Sequence, residues 1–211
     1  LLSGGISHSL NLIDGLNGLA LGVSIAMGIG LIAISVLYED WVMSQFLAVF
    51  VAALAGLFVV NFPFGKLFLG DAGAYSLGHL LTWSGIVLLN RHEELAPFSI
   101  FLIFFWPSAD MIFAIIRRRM TGKPIDKPDR LHFHQLVMRA IEMTLLSKEK
   151  RYISNPLATV IVIPLASIPI VCAVVFAENT LAGLIGLGIF SILFWLTYVF
   201  GMFIARRFAR S

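Results

Sequence analysis

Six long apolar runs separated by polar breaks set the pattern of this chain, at residues 16–37, 44–60, 72–89, 97–116, 157–177 and 181–205. Each is long enough to cross a hydrocarbon layer about 30 Å thick, which takes roughly 17 to 25 helical residues. The backbone finds no water to bond inside lipid, so each run must be helical, even the Val- and Ile-rich stretch 158–163. Pro164 and Pro169 are expected to kink the fifth run. The pattern predicts an all-α fold, a polytopic transmembrane helix bundle of six spans. One membrane domain covers residues 1–211, without internal repeats or low-complexity linkers.

The only extended polar interruption, 117–156, acquires helical periodicity in its second half. Phe133, Leu136, Val137, Ala140, Ile141 and Leu145 form an apolar stripe, with Arg139 and Glu142 off it. This is the register of an amphipathic helix lying along the membrane interface, or of a helix packed on the ends of the spans.

Composition strengthens the membrane reading. Of 211 residues 59% are apolar and 13% charged, more apolar material than one globular core can bury. Lipid is therefore an expected partner and nucleic acid is not. Cys172, the single cysteine, can form no intrachain disulfide. The chain starts at Leu1 without an initiator Met or signal-peptide pattern, and further sequence upstream is expected.

The net charge of +3 is small, but its distribution orients the bundle. Six crossings put Lys66, the ten Lys and Arg residues from Arg117 to Arg151, and Arg206, Arg207 and Arg210 on one side. Arg91 alone falls on the other, beside Glu39, Asp40, Glu93, Glu94 and Glu178. By the positive-inside rule the basic side, with the 117–156 loop, faces the cytoplasm.

Four groups of polar residues lie at the cytoplasmic ends of the spans, all on one face of the membrane. NLIDGLNG places Asn11, Asp14 and Asn17 at spacings of three, where they could share a helical face or cap the first span. Between Asn61 and Gly78, Asp71 sits between Gly70 and Gly73, preceded by Lys66 and Asn61; small neighbours let a hydrated metal or a phosphate approach a carboxylate. Asp110 lies inside the fourth run, where a carboxylate costs up to about 2.5 to 3.5 kcal/mol on insertion scales, and Arg117 or Arg118 is its expected partner. KPDRLHFHQL brings Asp129, Arg130, His132 and His134 together; histidines two apart diverge by about 200° on a helix, so they share a direction only where the chain is extended.

These strings, in this order and with spans between them, resemble the polyprenyl-phosphate N-acetylhexosamine-1-phosphate transferases of glycosyltransferase family 4. NLIDGLNG is similar to that family's Asn-x-x-Asp-Gly-x-Asp/Asn-Gly motif, GKLFLGDAGAYSLG to its Gly-Asp-x-Gly segment, and HFHQ to its His-x-His-His segment. The resemblance implies an enzyme that transfers N-acetylhexosamine-1-phosphate from a UDP-sugar to a polyprenyl (undecaprenyl) phosphate with release of UMP. That reaction starts cell-envelope glycans such as O-antigen, at the cytoplasmic face of the bacterial inner membrane. It implies a magnesium cofactor, or manganese in its place, held by Asp71 and Asn11, with Asp14 lining the same cavity. Asn17 and Asn61 would lie along the nucleotide, and His132, His134, Arg130 and Lys66 would meet the diphosphate or sugar. A homodimer is compatible with this reading.

His8 stands where many members have an earlier Asn, and Gln135 where many have a further His. HFHQ in place of three histidines favours the branch acting on undecaprenyl phosphate and N-acetylglucosamine over the peptidoglycan-precursor branch. The family's upstream Asp-Asp motif is not in this chain, as expected of the C-terminal portion of a longer enzyme. The alternatives are an inactive lipid-binding relative and an ion-coupled transporter whose path is lined by Asp14, Asp71 and Asp110.

Overall fold

A computed structural model describes residues 2–122 and 131–208, which are helical apart from connecting turns. In chain order the helices are α1 Leu2–Ile13, α2 Leu19–Leu37, α3 Trp41–Asn61, α4 Gly70–Arg91, α5 Pro97–Ile103, α6 Phe105–Met120, α7 Phe133–Thr144, α8 Arg151–Val175 and α9 Thr180–Phe208. A 3-10 turn, Lys148–Lys150, precedes α8. Five of them, α2, α3, α4, α8 and α9, are long and apolar enough to cross a membrane, and the α5–α6 pair makes a sixth crossing if counted as one span. The chain is a multi-pass membrane protein.

The fourth apolar run is not one straight span. It breaks at Phe104, and α5 and α6 meet at 77°. Pro107 explains the break: its ring clashes with the carbonyl four residues earlier, at Ile103, and it has no N–H to bond it. α5 ends at that residue. The pair still joins the two ends of the bundle. Ala96 N–H donates to the Ala177 carbonyl at 2.7 Å at one end, and Arg117 donates to the Leu131 carbonyl at 2.9 Å at the other.

Residues 1–15 precede the first apolar run, and most of them form α1. Ile6, Leu10 and Ile13 recur at helical spacing and are buried against α4 and α6. α1 and α4 approach so closely that a Cβ on Gly78 would stand 2.4 Å from the Ser7 Cα. At 12 residues α1 is too short to register as a span, and Gly4, Gly5 and three serines dilute its apolar signal.

α2 is the central helix, packed on α3, α8 and α4. Glycine permits the contact with α8: a Cβ at Gly22 would meet Ile163 Cδ1 at 2.2 Å. α8 begins at Arg151, so the last residues of the 117–156 interval are helical, and it continues unbroken through Pro156, Pro164 and Pro169. The apolar stripe of α7 is buried against α8 and α9, with Phe133, Leu136 and Ile141 inward and Leu145 exposed.

At the end away from the basic loop, the short turns are clasped together. Asp40 caps α3 by accepting the Met43 N–H at 3.0 Å, and the same carboxylate takes Arg91 Nη1 at 2.9 Å. Ser99 Oγ donates to the Phe176 carbonyl at 2.6 Å. The opposite ends of the helices are thereby left to carry the polar groups described next.

Candidate active site

The turn between α1 and α2 is shaped by polar side chains from distant helices. α2 starts after Gly18, whose φ of 76° suits glycine and which offers no side chain as a cap. Its N–H is taken by the Asn61 carboxamide oxygen, and Asn61 Nδ2 donates to the Leu67 carbonyl. Asn17 Nδ2 donates to the Pro63 carbonyl at 2.8 Å. From α8, Asn155 Oδ1 accepts the Asn17 N–H at 2.9 Å and Thr159 Oγ1 donates to the Asn17 carbonyl at 2.8 Å. Asn17 and Asn61 therefore bond backbone groups of the two turns that flank the site.

With those bonds in place, Asp14 is free of any capping duty. Asp71 is likewise no cap, since it lies in the first turn of α4 behind the N-cap residue Leu69. Neither carboxylate has a hydrogen-bond partner among the described residues. They lie close enough to repel: burial first, and then the charge of Asp71, push the Asp14 carboxyl above its ordinary range. Tyr75, one turn after Asp71, extends the group toward α1. Its hydroxyl lies 3.4 Å from Asn11 Nδ2 and 3.4 Å from His8 Nδ1.

A second group forms where α7 returns to α6. Asp110 is buried, and its partners differ from those expected. Oδ1 accepts the Phe133 N–H at 2.9 Å, while Oδ2 lies 3.2 Å from His132 Nδ1 and 3.6 Å from His134 Nδ1. Arg117, one of the two expected partners, donates instead to the Leu131 carbonyl and the Tyr198 hydroxyl. The two imidazoles stack at 5.8 Å between centroids. They face the same way because α7 begins between them: His132 is extended, with φ −66° and ψ 153°, and His134 is in the first turn.

His134 joins the two groups. A Cβ at Gly15 would stand 2.9 Å from His134 Nε2, so only glycine beside Asp14 leaves room for the imidazole. Asn11, Asp14, Asp71, His132 and His134 thus gather at one end of the bundle. Lys66 is exposed in the α3–α4 connection, with no hydrogen bond or ion pair to them among the described residues. Arg130 and Asp129 lie outside the described residues. Asp110, Tyr75, Asn155 and Thr159 complete the arrangement; of these only Asp110 stood out in the sequence, as a charge within an apolar run.

No three His, Cys, Asp or Glu side chains converge as a metal cage among the described residues. Magnesium needs no such cage: it commonly takes one or two carboxylates, keeps several waters and completes its shell with substrate phosphates. Asp14 and Asp71, mutually repelling and unbonded, with the Asn11 carboxamide nearby, fit that donor set. An apolar cleft of about 750 Å³ runs under the α5–α6 bend, lined by Gly5, Phe101, Phe104, Phe105, Ile112 and Leu187 among others. Ser108 and Ala109, adjacent to Asp110, form part of its wall.

Residues 1–89 match the family described as glycosyl transferase family 4. It is 38% identical over 138 residues to a probable undecaprenyl-phosphate N-acetylglucosaminyl 1-phosphate transferase of Bacillus subtilis, covering 64% of this chain and 38% of the relative. It is 34% identical over 130 residues to a phospho-N-acetylmuramoyl-pentapeptide-transferase of Lactobacillus gasseri, covering 62% and 40%. A decaprenyl-phosphate N-acetylglucosaminephosphotransferase of Mycobacterium tuberculosis is 29% identical over 157 residues, covering 64% and 38%. The chain spans about two fifths of the length of these relatives.

Proposed function

From the match of residues 1–89 to glycosyl transferase family 4, we propose that this chain supplies the metal, diphosphate and part of the lipid side of a polyprenyl-phosphate N-acetylhexosamine-1-phosphate transferase. The observation that carries the reading is the pair Asp14 and Asp71, held near Asn11 and the imidazole of His134 by helices that share no local sequence. In the reaction an oxygen of the lipid phosphate attacks the β-phosphorus of a UDP-sugar. The new P–O bond forms as the bond from that phosphorus to the α–β bridging oxygen breaks, and UMP leaves with the electron pair.

That approach brings several anionic oxygens together and is repulsive unless cations offset the charge. A magnesium ion, when bound, supplies that neutralisation. Asp71, Asp14 and Asn11 would hold it, while His132 and His134, with Arg130 and Lys66, would contact the diphosphate or sugar. The Asn17, Asn61 and Asn155 carboxamides fix the turn on which Asp14 sits. The apolar cleft, whose wall includes Ser108 and Ala109 beside Asp110 in the chain, suits the isoprenoid tail of the acceptor.

The basic termini of the spans support an orientation with this site at the cytoplasmic face of a bacterial inner membrane, and they would attract an anionic lipid headgroup. A homodimer is compatible with the lipid-facing surfaces of α3 and α9. The transporter alternative gains no support from Asp110, which is 1% exposed and enclosed by α6 and the start of α7. The test is UMP release by the full-length protein in detergent with undecaprenyl phosphate and UDP-N-acetylglucosamine or UDP-N-acetylgalactosamine. Release should require magnesium and fall at least about 10²-fold in Asp71→Asn; release from no UDP-N-acetylhexosamine would refute the reading.

A further inference from the structure

We propose that Asp110 is the positioning residue of the histidine pair: its carboxylate receives the Nδ1 side of His132 and His134, so that both rings turn the Nε2 lone pair toward hydroxyl donors of the substrate sugar. The proposal rests on the transferase reading for the identity of what Nε2 meets, but its structural half stands independently. Asp110, His132 and His134 are 1%, 3% and 1% exposed. Polar groups so buried are costly unless they satisfy one another.

The two carboxylate oxygens have separable tasks. Oδ1 accepts the Phe133 N–H at 2.9 Å, one of the donors that the first turn of α7 leaves without an intrahelical partner. A carboxylate there also complements the positive end of the helix dipole. A cap would need no more than this. Oδ2 goes further: it is 3.2 Å from His132 Nδ1, a hydrogen bond, and 3.6 Å from His134 Nδ1, an ion-pair distance. A carboxylate can only accept, so it selects rings that carry a proton on Nδ1. Nε2 then lies on the far side of each ring. For His134 that side faces Gly15, next to Asp14; its Nε2 is buried without a protein partner, and its Nδ1, 3.6 Å from Oδ2, is held by charge attraction and not by a hydrogen bond. An unpartnered lone pair directed at the carboxylate turn is what a hydroxyl donor of the substrate would complete.

Asparagine separates the two tasks. Asp110→Asn can keep Oδ1 for the Phe133 N–H, and therefore the cap, but it presents an NH2 group where Oδ2 stood. The imidazoles must then offer a lone pair at Nδ1 and move the proton to Nε2. A mutation of this kind, leaving geometry intact while reversing a tautomer, is costly wherever an imidazole must meet its substrate in one protonation pattern.

The experiment is 15N solid-state NMR of histidine-labelled full-length protein in lipid, with His132→Gln and His134→Gln assigning the two resonances. In the wild type both rings should show a protonated Nδ1, and Asp110→Asn should convert at least His132 to the Nε2-protonated tautomer. UMP release by Asp110→Asn should fall on the order of 10²-fold in kcat, with KM for the UDP-sugar changed less than about threefold. A wild type with unprotonated Nδ1 on both rings overturns the proposal, and it is read without any Asp110 variant having to fold. Unchanged tautomers in a folded Asp110→Asn, or switched tautomers with unchanged kcat, also overturn it. A wild type that releases no UMP but shows protonated Nδ1 atoms refutes the transferase reading and leaves the carboxylate–imidazole assignment standing.

Discussion

Asn155 on α8 accepts the backbone N–H of Asn17 at 2.9 Å, tying the α1–α2 turn to a helix 138 residues away. With Thr159 on the Asn17 carbonyl, both main-chain groups of Asn17 are held by one face of α8. Asn155→Ala leaves a part-buried N–H unsatisfied, at a cost of about 1–3 kcal/mol. The turn carrying Asp14 should loosen. UMP release should drop roughly tenfold and the magnesium concentration for half-maximal rate should rise, since positioning of the site depends on that turn. A magnesium titration of the purified variant checks this, and an unaltered magnesium requirement would count against the assignment of Asn155.

Asp14 makes a prediction of opposite sign for stability and for activity. Its carboxyl is raised above 3.8 by burial and by Asp71, so the folded state holds the proton more tightly than the unfolded chain does. The native state is therefore favoured at pH values below 3.8 and loses that advantage as pH rises through the folded value. Asp14→Asn removes the penalty. At pH 7 in EDTA the variant should unfold a few degrees higher than the wild type, yet it should release UMP on the order of 10²-fold more slowly. Added magnesium should stabilise the wild type more than the variant, because a ligand that binds the native state raises its stability by mass action. Differential scanning fluorimetry with and without magnesium reads both effects; an equal magnesium shift in the two proteins would remove Asp14 from the metal site.

The legible parts of this protein were those written locally. Span-length apolar runs gave the bundle, and Asp14, Asp71, His132 and His134 stood out as short polar strings at span ends. What was hidden depends on contacts between remote segments. Asp110 sits about two turns from Arg117 and Arg118, yet the start of α7 delivers His132 and His134 from 22 and 24 residues away, a return that no helical spacing encodes. Asn17 and Asn61 were visible as polar residues, but their bonds to Pro63, Leu67 and Gly18 depend on how two turns meet. The break at Phe104 could have been read from Pro107, because a proline three residues into a helix requires a helix start close before it.

The clasp at the far end of the bundle gives a stability test independent of catalysis. Burial would raise the Asp40 carboxyl, but hydrogen bonds from Arg91 and the Met43 N–H, the Arg91 charge and a contact with His92 outweigh it and hold it below 3.8. Its contribution is thus fully present above 3.8 and lost as pH falls through the lower folded value. Asp40→Ala removes an N-cap and an ion pair whose Arg91 side is 49% exposed, together worth about 1–2 kcal/mol. Thermal unfolding at pH 7 should drop by a few degrees, while at pH 3 and below the gap between variant and wild type should narrow. A gap that stayed constant across that range would show that the cap and the ion pair contribute nothing that depends on the ionised carboxylate.

Gly5 separates the lipid acceptor from the nucleotide sugar. It lies on α1 at the wall of the apolar cleft, and a Cβ there would have only Met111 Cε, at 3.9 Å, within 4 Å. A larger side chain thus has room to project into the cleft rather than into packed protein. Within a helix, replacing glycine by leucine also removes a propensity penalty of about 0.8 kcal/mol. Gly5→Leu should therefore keep or raise the unfolding temperature while filling space that the isoprenoid chain would occupy. The KM for undecaprenyl phosphate should rise about tenfold or more, with the KM for the UDP-sugar changed less than about twofold. A short-chain acceptor such as farnesyl phosphate should be less affected, because it needs less of the cleft. If Gly5→Leu leaves the acceptor KM unchanged, the isoprenoid tail does not run under the α5–α6 bend; if both substrates weaken together, the substitution has disturbed α1 and with it the turn that carries Asp14.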